Sequence, residues 1–193
     1  MADEPVKVSA KICLFGDGGV GKTSLILRYV KNTFDEKYLT TIGTNVYKKV
    51  VNTKHPETGK DYEFTLMIWD IMGQKGVREL LQEAYFSGAT AAIGVADITR
   101  KSTLEDLDNW RKAIVKATGE IPIIFLGNKA DMKDKAQFSK EALKKMLLKY
   151  TDELGESKLR LTLARAGEPC ILTSAKTGEG VEQAFQTLCK TLL

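Results

Sequence analysis

One stretch decides the fold of this 193-residue chain: Gly16-Asp17-Gly18-Gly19-Val20-Gly21-Lys22-Thr23. It matches G-x-x-x-x-G-K-[ST], the phosphate-binding P-loop. An apolar, strand-like run precedes it at 12–15, and a helical pattern follows it at 24–30. Glycines let several backbone N–H groups point at one anion, and the next helix adds about half a positive charge there. In this setting the stretch predicts a nucleotide site rather than a glycine-rich turn.

The two residues that close the motif have predicted roles of their own. Lys22 can reach the β- and γ-phosphates of a nucleotide, and the Thr23 hydroxyl can ligate Mg²⁺. The predicted nucleotide-binding residues of this segment are Gly16, Asp17, Gly18, Gly19, Val20, Gly21, Lys22, Thr23 and Ser24.

Length and charge narrow the class of protein. A chain of 193 residues predicts a single domain, 1–193, and its 43% hydrophobic and 28% charged residues are ordinary for a globular protein. The 29 Lys and Arg exceed the 25 Asp and Glu by only four. This excess is small and scattered, so we expect no nucleic-acid partner.

The cysteines and the lack of targeting signals predict a cytoplasmic protein. Cys13 and Cys170 fall in strand-like runs and Cys189 in a helical pattern, which is typical of buried, reduced thiols. No signal peptide or apolar run near the ~18 residues of a membrane span is present. Cys189 does not form a C-a-a-X box, so this sequence shows no lipid-anchor motif. Any membrane association is expected through partners or through a tail outside this sequence.

Apolar runs typical of strands alternate with amphipathic runs typical of helices. The predicted strands are 8–15, 45–53, 61–70, 90–97, 121–127 and 170–173. The predicted helices are 21–31, 74–86, 103–117, 139–151 and 180–193. A turn-rich piece, 55–60, predicts a hairpin between the second and third strands. The expected fold is α/β: a six-stranded, mostly parallel sheet with one antiparallel edge strand and helices on both faces.

A second motif follows the third strand. Asp70 ends an apolar run, where it can hold Mg²⁺ through water or simply cap the strand end. Gly73 can bring its backbone N–H close to a γ-phosphate, and Gln74 can orient an attacking water.

A third motif, Asn128-Lys129-Ala130-Asp131, follows the fifth strand. A carboxylate at Asp131 can accept from both N1–H and the exocyclic amine of guanine, a donor pair that adenine lacks. Asn128 can bridge to the P-loop, and the stem of Lys129 can lie over the base. Ser174-Ala175-Lys176 ends the last strand, where a backbone N–H could meet guanine O6.

With these motifs in this order over nearly its whole length, the chain resembles the small GTPases of the Ras superfamily, and the Rab-like branch in particular. The resemblance implies a P-loop G domain that binds GTP and GDP with Mg²⁺ and hydrolyses GTP slowly. It implies that Lys22, Gly73 and Gln74 are catalytic, and that Thr23, Thr41 and Asp70 serve the metal. Two departures from the family, the missing cysteine tail and an unusual switch II, favour a prokaryotic or archaeal member.

The resemblance further implies two switch segments, switch I at 34–43 and switch II at 70–86. In switch I, Phe34 matches the aromatic residue that packs on guanine, although core packing is the alternative for it. Tyr38 matches the tyrosine that closes over the phosphates. Through these segments we expect protein effectors, an exchange factor and an activating protein to bind.

Switch II departs from the family pattern W-D-T-A-G-Q-E. This chain has Trp69-Asp70-Ile71-Met72-Gly73-Gln74-Lys75, which adds bulk and reverses one charge. Switch I has no evident arginine to act as an internal finger, a group that supplies about 10³–10⁵ in rate when a partner provides it. A scaffold that holds GTP and barely hydrolyses it is therefore one alternative function.

Two further points stay open. A different P-loop enzyme, an ATPase or small-molecule kinase, is the second alternative, and Asp131 argues against it. The segment 153–168 is longer than usual and predicts either an extension of the preceding helix or a second short helix. It could serve as a docking surface or be a neutral elaboration.

Overall fold

A six-stranded mixed sheet organises the residues that the computed structural model describes, 4–35, 41, 43–73 and 84–193. The strands are β1 (Val6–Phe15), β2 (Thr44–Lys54), β3 (Asp61–Ile71), β4 (Ala91–Asp97), β5 (Ile123–Asn128) and β6 (Cys170–Thr173). The helices are α1 (Lys22–Lys31), α2 (Lys101–Glu105), α3 (Leu107–Thr118), α4 (Lys140–Glu153), α5 (Lys158–Arg165) and α6 (Val181–Lys190), with a 3₁₀ helix at Ala130–Lys135.

The strand order is β2-β3-β1-β4-β5-β6, and only the β2–β3 pairing is antiparallel among the described strands. This confirms the predicted α/β sheet with one antiparallel edge strand. After β1 the chain passes through α1 to the β2–β3 hairpin on one side of β1, and it then crosses to β4 on the other side. The strand order therefore reverses beside β1. Ligands of such sheets bind at this reversal, beyond the carboxyl ends of the strands.

The hairpin predicted at 55–60 is also confirmed. β2 and β3 pair in register from Thr44 opposite Ile71 to Lys54 opposite Asp61. The loop is closed by a bond from the His55 N–H to the Lys60 carbonyl, 2.9 Å. β5, by contrast, begins two residues later than predicted, because Pro122 has no N–H for the sheet and offers only its carbonyl, to the Ala92 N–H at 2.9 Å.

One helical prediction needs correction, and one of the two alternatives for 153–168, a second short helix, is confirmed. The helix expected at 103–117 begins at Lys101 and breaks at Asp106, giving α2 and α3. It starts early because the Thr103 hydroxyl accepts from the Asp97 N–H at 3.0 Å and so ties the first turn to the end of β4. The segment left open at 153–168 forms a separate helix, α5, whose first turn is capped by the Ser157 hydroxyl. The helix expected at 74–86 lies mostly outside the described residues.

Apolar clusters cover both faces of the sheet. The first cluster packs α1 and α6 on one face, with the Tyr29 and Phe185 rings stacked 3.8 Å apart. The second packs α3 and α4 on the other face around Trp110 and Phe125, and it includes Leu163 of α5. Helices therefore cover both faces, as predicted, and the long segment before β6 adds to the core.

The cysteines lie in these clusters as predicted. Cys13, Cys170 and Cys189 are buried as free thiols, and burial raises the pKa of each to about 12. Among the described residues, no helix has the length and apolar character needed to cross a membrane.

Charged side chains join α3 to α4. Arg111 is 2% exposed and forms ion pairs with Asp108 at 2.8 Å and with Glu153 of α4 at 2.8 Å. Asp108 also accepts from Lys149 of α4 at 2.6 Å. Burial alone would raise the pKa of Asp108, but hydrogen bonds from Lys149 and Arg111 hold it near 2. The ionised carboxylate thus stabilises the α3–α4 contact.

We predict that Asp108→Asn lowers the free energy of unfolding by about 1 to 2 kcal/mol at pH 7. The folded pKa, about 2, is below the unfolded value of about 3.9, so this stabilisation is complete above pH 4 and is lost as the pH falls through 2. Urea unfolding at pH 7 and pH 3 measures it. Glu105→Gln, an exposed carboxylate on α2, is the control and should cost under about 0.5 kcal/mol. Equal effects of the two substitutions would contradict the prediction.

Candidate functional site

The P-loop lies at the carboxyl edge of the sheet, between β1 and α1. Its last glycine, Gly21, caps the N-terminus of α1 with a φ of +99°, a conformation that side chains rarely adopt. A Cβ on Gly21 would also collide with the Asn128 side-chain amide. The motif glycine is therefore required by both the turn and its neighbour.

Lys22 is held inside the loop. Its side chain is 7% exposed, and Nζ donates to the carbonyls of Gly16 at 2.7 Å and Asp17 at 2.9 Å. Burial lowers the pKa of Lys22 to about 8, against the opposing charges of Asp70 and Asp17. A positively charged ammonium in this setting gains from any anion bound beside it.

Gly73 lies against this lysine. A Cβ built on Gly73 would come within 2.5 Å of Lys22 Nζ and 2.7 Å of the Asp17 carbonyl oxygen. Only a residue without a side chain allows this close approach. The structure thus brings the predicted γ-phosphate contact of switch II next to the P-loop.

Three oxygen-bearing side chains converge beside Lys22. The Thr23 hydroxyl donates to Asp70 Oδ2 at 2.6 Å and lies 3.0 Å from the Thr41 hydroxyl. Asp70 is fully buried, and its Oδ1 has no hydrogen-bond partner among the described residues. Burial raises the pKa of Asp70, against the Thr23 hydrogen bond and the charge of Lys22. This set of hard oxygen donors, with one acceptor atom to spare, fits Mg²⁺.

The predicted base-binding residues meet at the ends of β5 and β6. Asn128 donates to the Val20 carbonyl at 2.9 Å, which is the predicted bridge to the P-loop, and accepts from the Ala175 N–H at 3.3 Å. The exposed Asp131 carboxylate accepts from the Ser174 hydroxyl at 2.6 Å. The sequence placed these residues 43 to 47 positions apart, and the fold assembles them into one wall.

Comparison with known proteins agrees with this geometry. The sequence model of the Ras family matches residues 11–193. The human Ras-related protein Rab-8B is 33% identical over 184 residues, covering 95% of this chain and 78% of the relative. Rab-27B of Bos taurus is 32% identical over 199 residues, covering 100% and 84% respectively, and Rab-13 of Canis lupus familiaris is 33% identical over 184 residues.

The chain is a Rab-like member of the Ras superfamily of small GTPases. Members of this family bind GTP and GDP with Mg²⁺ and act with effectors, exchange factors and activating proteins.

Sequence reasoning missed an arginine that joins α1 of this small GTPase to the segment after β6, where the predicted base-binding residues lie. Arg28 of α1 donates to the carbonyls of Ala175 at 2.8 Å and Lys176 at 2.7 Å. The contact joins segments almost 150 residues apart, and no local pattern in the sequence signals it.

Two acidic residues of the GTPase have partners that were also missed. Asp17 of the P-loop accepts from the indole N–H of Trp110 at 3.1 Å, and both side chains are buried. Asp97, at the end of β4, pairs with Lys129 of the base-binding motif at 2.6 Å. Like Asp70, Asp97 is a carboxylate at the end of an apolar strand. The sequence could therefore have indicated Asp97 as a site residue.

Some predictions concern residues outside the described part of the GTPase. Tyr38, Gln74 and Lys75 are among these, and switch I and switch II are each described only in part. Phe34 is described, and it packs partly buried against the first apolar cluster, which is the core-packing alternative for this residue.

We predict that Trp110→Phe lowers the free energy of unfolding of the GTPase by about 2 to 3 kcal/mol, because Asp17 loses a buried donor and the smaller ring leaves a void. Trp110→Phe combined with Asp17→Ala, which removes the acceptor, should cost about 1 kcal/mol less than the two single effects added together. Urea unfolding of the four proteins measures this coupling. Trp69→Phe is the matched control, and additive single effects would show that the indole N–H does not support Asp17.

Proposed function

We propose that the chain is a single G domain, 1–193, which binds GTP and GDP with Mg²⁺ and hydrolyses GTP slowly as a molecular switch. The observation that carries this proposal is the bond from Asn128 to the Val20 carbonyl, 2.9 Å, since it joins a phosphate-binding loop to a wall suited to guanine. Family membership supports it independently.

The base-binding wall favours guanine. The Asp131 carboxylate is exposed and is oriented by the Ser174 hydroxyl. Its two oxygens can therefore accept hydrogen bonds from N1–H and from the exocyclic amine of guanine. The Ala175 N–H makes only a long, 3.3 Å bond to Asn128, and it can turn to guanine O6. Adenine would leave the carboxylate at Asp131 without donors, which is costly.

The phosphate end supplies charge and metal ligands. Lys22 offsets the charge of the phosphates. Their oxygens accept hydrogen bonds from the backbone amides of the P-loop, at Gly16, Asp17, Gly18, Gly19, Val20 and Gly21, and from Ser24 in the first turn of α1. Thr23, Thr41 and, through water, Asp70 would hold Mg²⁺, whose charge offsets that of the phosphates.

Hydrolysis and switching depend on the residues that follow β3. Gln74 orients the attacking water, and the Gly73 N–H contacts the γ-phosphate. Ile71, one of the departures from the family pattern, is 6% exposed and packs into the second apolar cluster, so its bulk is accommodated by the core. Loss of the γ-phosphate releases Thr41 and Gly73, and both switch segments relax.

Partners and location follow from the same proposal. Effectors, an exchange factor and an activating protein bind through switch I (34–43) and switch II (70–86). The buried, reduced thiols support a cytoplasmic location. A GTP-binding scaffold with little hydrolysis is the second candidate, and Met72 and Lys75 in switch II favour it.

We predict that Asp131→Asn weakens GTP binding by about 100-fold or more and favours xanthosine triphosphate, since the amide can donate where the carboxylate accepted. Competition of GTP, xanthosine triphosphate and ATP against a fluorescent GDP analogue measures it. Asp134→Asn, a second exposed aspartate on the same 3₁₀ helix, is the control and should leave the order unchanged. The assignment of Asp131 to guanine recognition would be wrong if Asp131→Asn still preferred GTP over xanthosine triphosphate. It would also be wrong if ATP competed effectively with the GDP analogue for the unaltered protein.

Single-turnover hydrolysis tests the reaction itself. The protein is loaded with GTP and Mg²⁺, and GDP is followed by chromatography. We expect a slow rate that falls about tenfold or more in Gln74→Leu, because the water loses its orienting group. Gln183→Leu, an exposed position on α6, is the control. Tight GTP binding without hydrolysis in any of the proteins would replace the switch by the scaffold.

A further inference from the structure

A line of charged groups runs from the base-binding motif to the P-loop along the rim of the site. Asp97 Oδ2 accepts from Lys129 Nζ at 2.6 Å and from Arg100 Nε at 3.0 Å. Arg100 then donates through Nη2 to the Gly18 carbonyl at 3.1 Å. Arg100 therefore links, through Asp97, two segments that bind opposite ends of the nucleotide.

The Asp97 carboxylate, at the centre of this line of charged groups, is held in place by burial and hydrogen bonds. It is 1% exposed, and its other oxygen accepts from the Thr99 N–H at 3.0 Å and the Thr99 hydroxyl at 2.7 Å. Burial alone would raise the pKa of Asp97, but hydrogen bonds from Lys129 and Thr99 lower it below its ordinary value. The carboxylate is thus ionised, fully paired and held in one orientation.

Arg100 is itself well placed to span the gap. Its backbone N–H donates to the Asp97 carbonyl at 2.9 Å, and its carbonyl accepts from the Thr103 N–H at 3.1 Å, so the start of α2 fixes its position. The planar guanidinium offers two donors in a rigid fork, one to each acceptor.

Arg100 and Asn128 hold the P-loop at two different points. Asn128 holds Val20, at the buried end of the P-loop, whereas Gly18 lies at its exposed turn. With Arg100 in place, the loop is held at both of these points.

We propose that Arg100 is a positioning residue that ties the P-loop to the guanine-binding segment and so slows nucleotide release. This proposal rests on the proposed function. Release requires the phosphate-binding and base-binding segments to separate, and each tie between them adds to the cost of that opening. Because such restraints act mainly on dissociation, the effect belongs to the off-rate.

The experiment measures release of N-methylanthraniloyl GDP from the full chain after addition of excess GDP. We expect Arg100→Ala to release it about tenfold faster, because the tie loses both of its side-chain hydrogen bonds, to Asp97 and to Gly18. Lys101→Ala is the matched control, because it removes the same charge from the next residue, whose side chain is 65% exposed and pairs with Glu105. Equal release from the two variants would overturn the proposal.

Arg100→Lys separates the tie from simple charge. Lysine keeps the charge but lacks the rigid fork, so release should be nearly as fast as in Arg100→Ala. If Arg100→Lys releases at the unaltered rate while Arg100→Ala is fast, charge near the phosphates retains the nucleotide and the tie is overturned.

A second measurement does not depend on nucleotide binding. Hydrogen exchange of the backbone amides at 16–21, in nucleotide-free buffer, should be faster in Arg100→Ala than in Lys101→Ala, because the loop has lost a restraint. Equal exchange overturns the tie. If the unaltered protein fails to bind the GDP analogue, the proposed function fails, and the exchange result still decides whether Arg100 restrains the P-loop.

Discussion

The site depends on one side-chain amide, that of Asn128. It is 2% exposed, and its donor and its acceptor are both used within the protein: Nδ2 on the Val20 carbonyl, Oδ1 on Thr173 and Ala175. If Nδ2 lost the Val20 carbonyl, this buried donor would carry the full cost of desolvation, whereas Oδ1 has two donors and can release one. The loops that follow β1, β5 and β6 are therefore positioned relative to one another, and they form one platform.

Buried charges impose a second constraint on this platform. Lys22 and Asp70 are both buried beside the P-loop, and burial shifts their pKa values in opposite directions, each toward the neutral form. Each charge partly offsets the desolvation of the other. Replacing such a pair by apolar side chains of similar size is often neutral or stabilising. Their presence here fits the proposed binding of phosphate and Mg²⁺ better than a role in folding.

The sequence predicted what local rules and strict motifs dictate, and it missed the contacts between distant residues that no motif links. The P-loop, the hairpin at 55–60 and the Asn128 bridge follow from turn chemistry and from motifs with strict geometry. The Ala175 and Lys176 carbonyls that Arg28 binds lie almost 150 residues from it, and the Trp110–Asp17 bond spans 93 residues. Such pairs leave no periodic trace in a sequence, because only the packed fold makes the two groups complementary.

The second apolar cluster gives Trp110 a further significance. The indole is one of two in the chain, and its N–H meets a carboxylate of the P-loop at 3.1 Å. Trp69, the other indole, lies half-buried on β3 under the ammonium of Lys11, 3.9 Å from it. The two chromophores thus sit in contrasting electric fields. The buried one, on α3, touches the P-loop through Asp17 and so gives the protein an intrinsic fluorophore in contact with that loop, readable without any label.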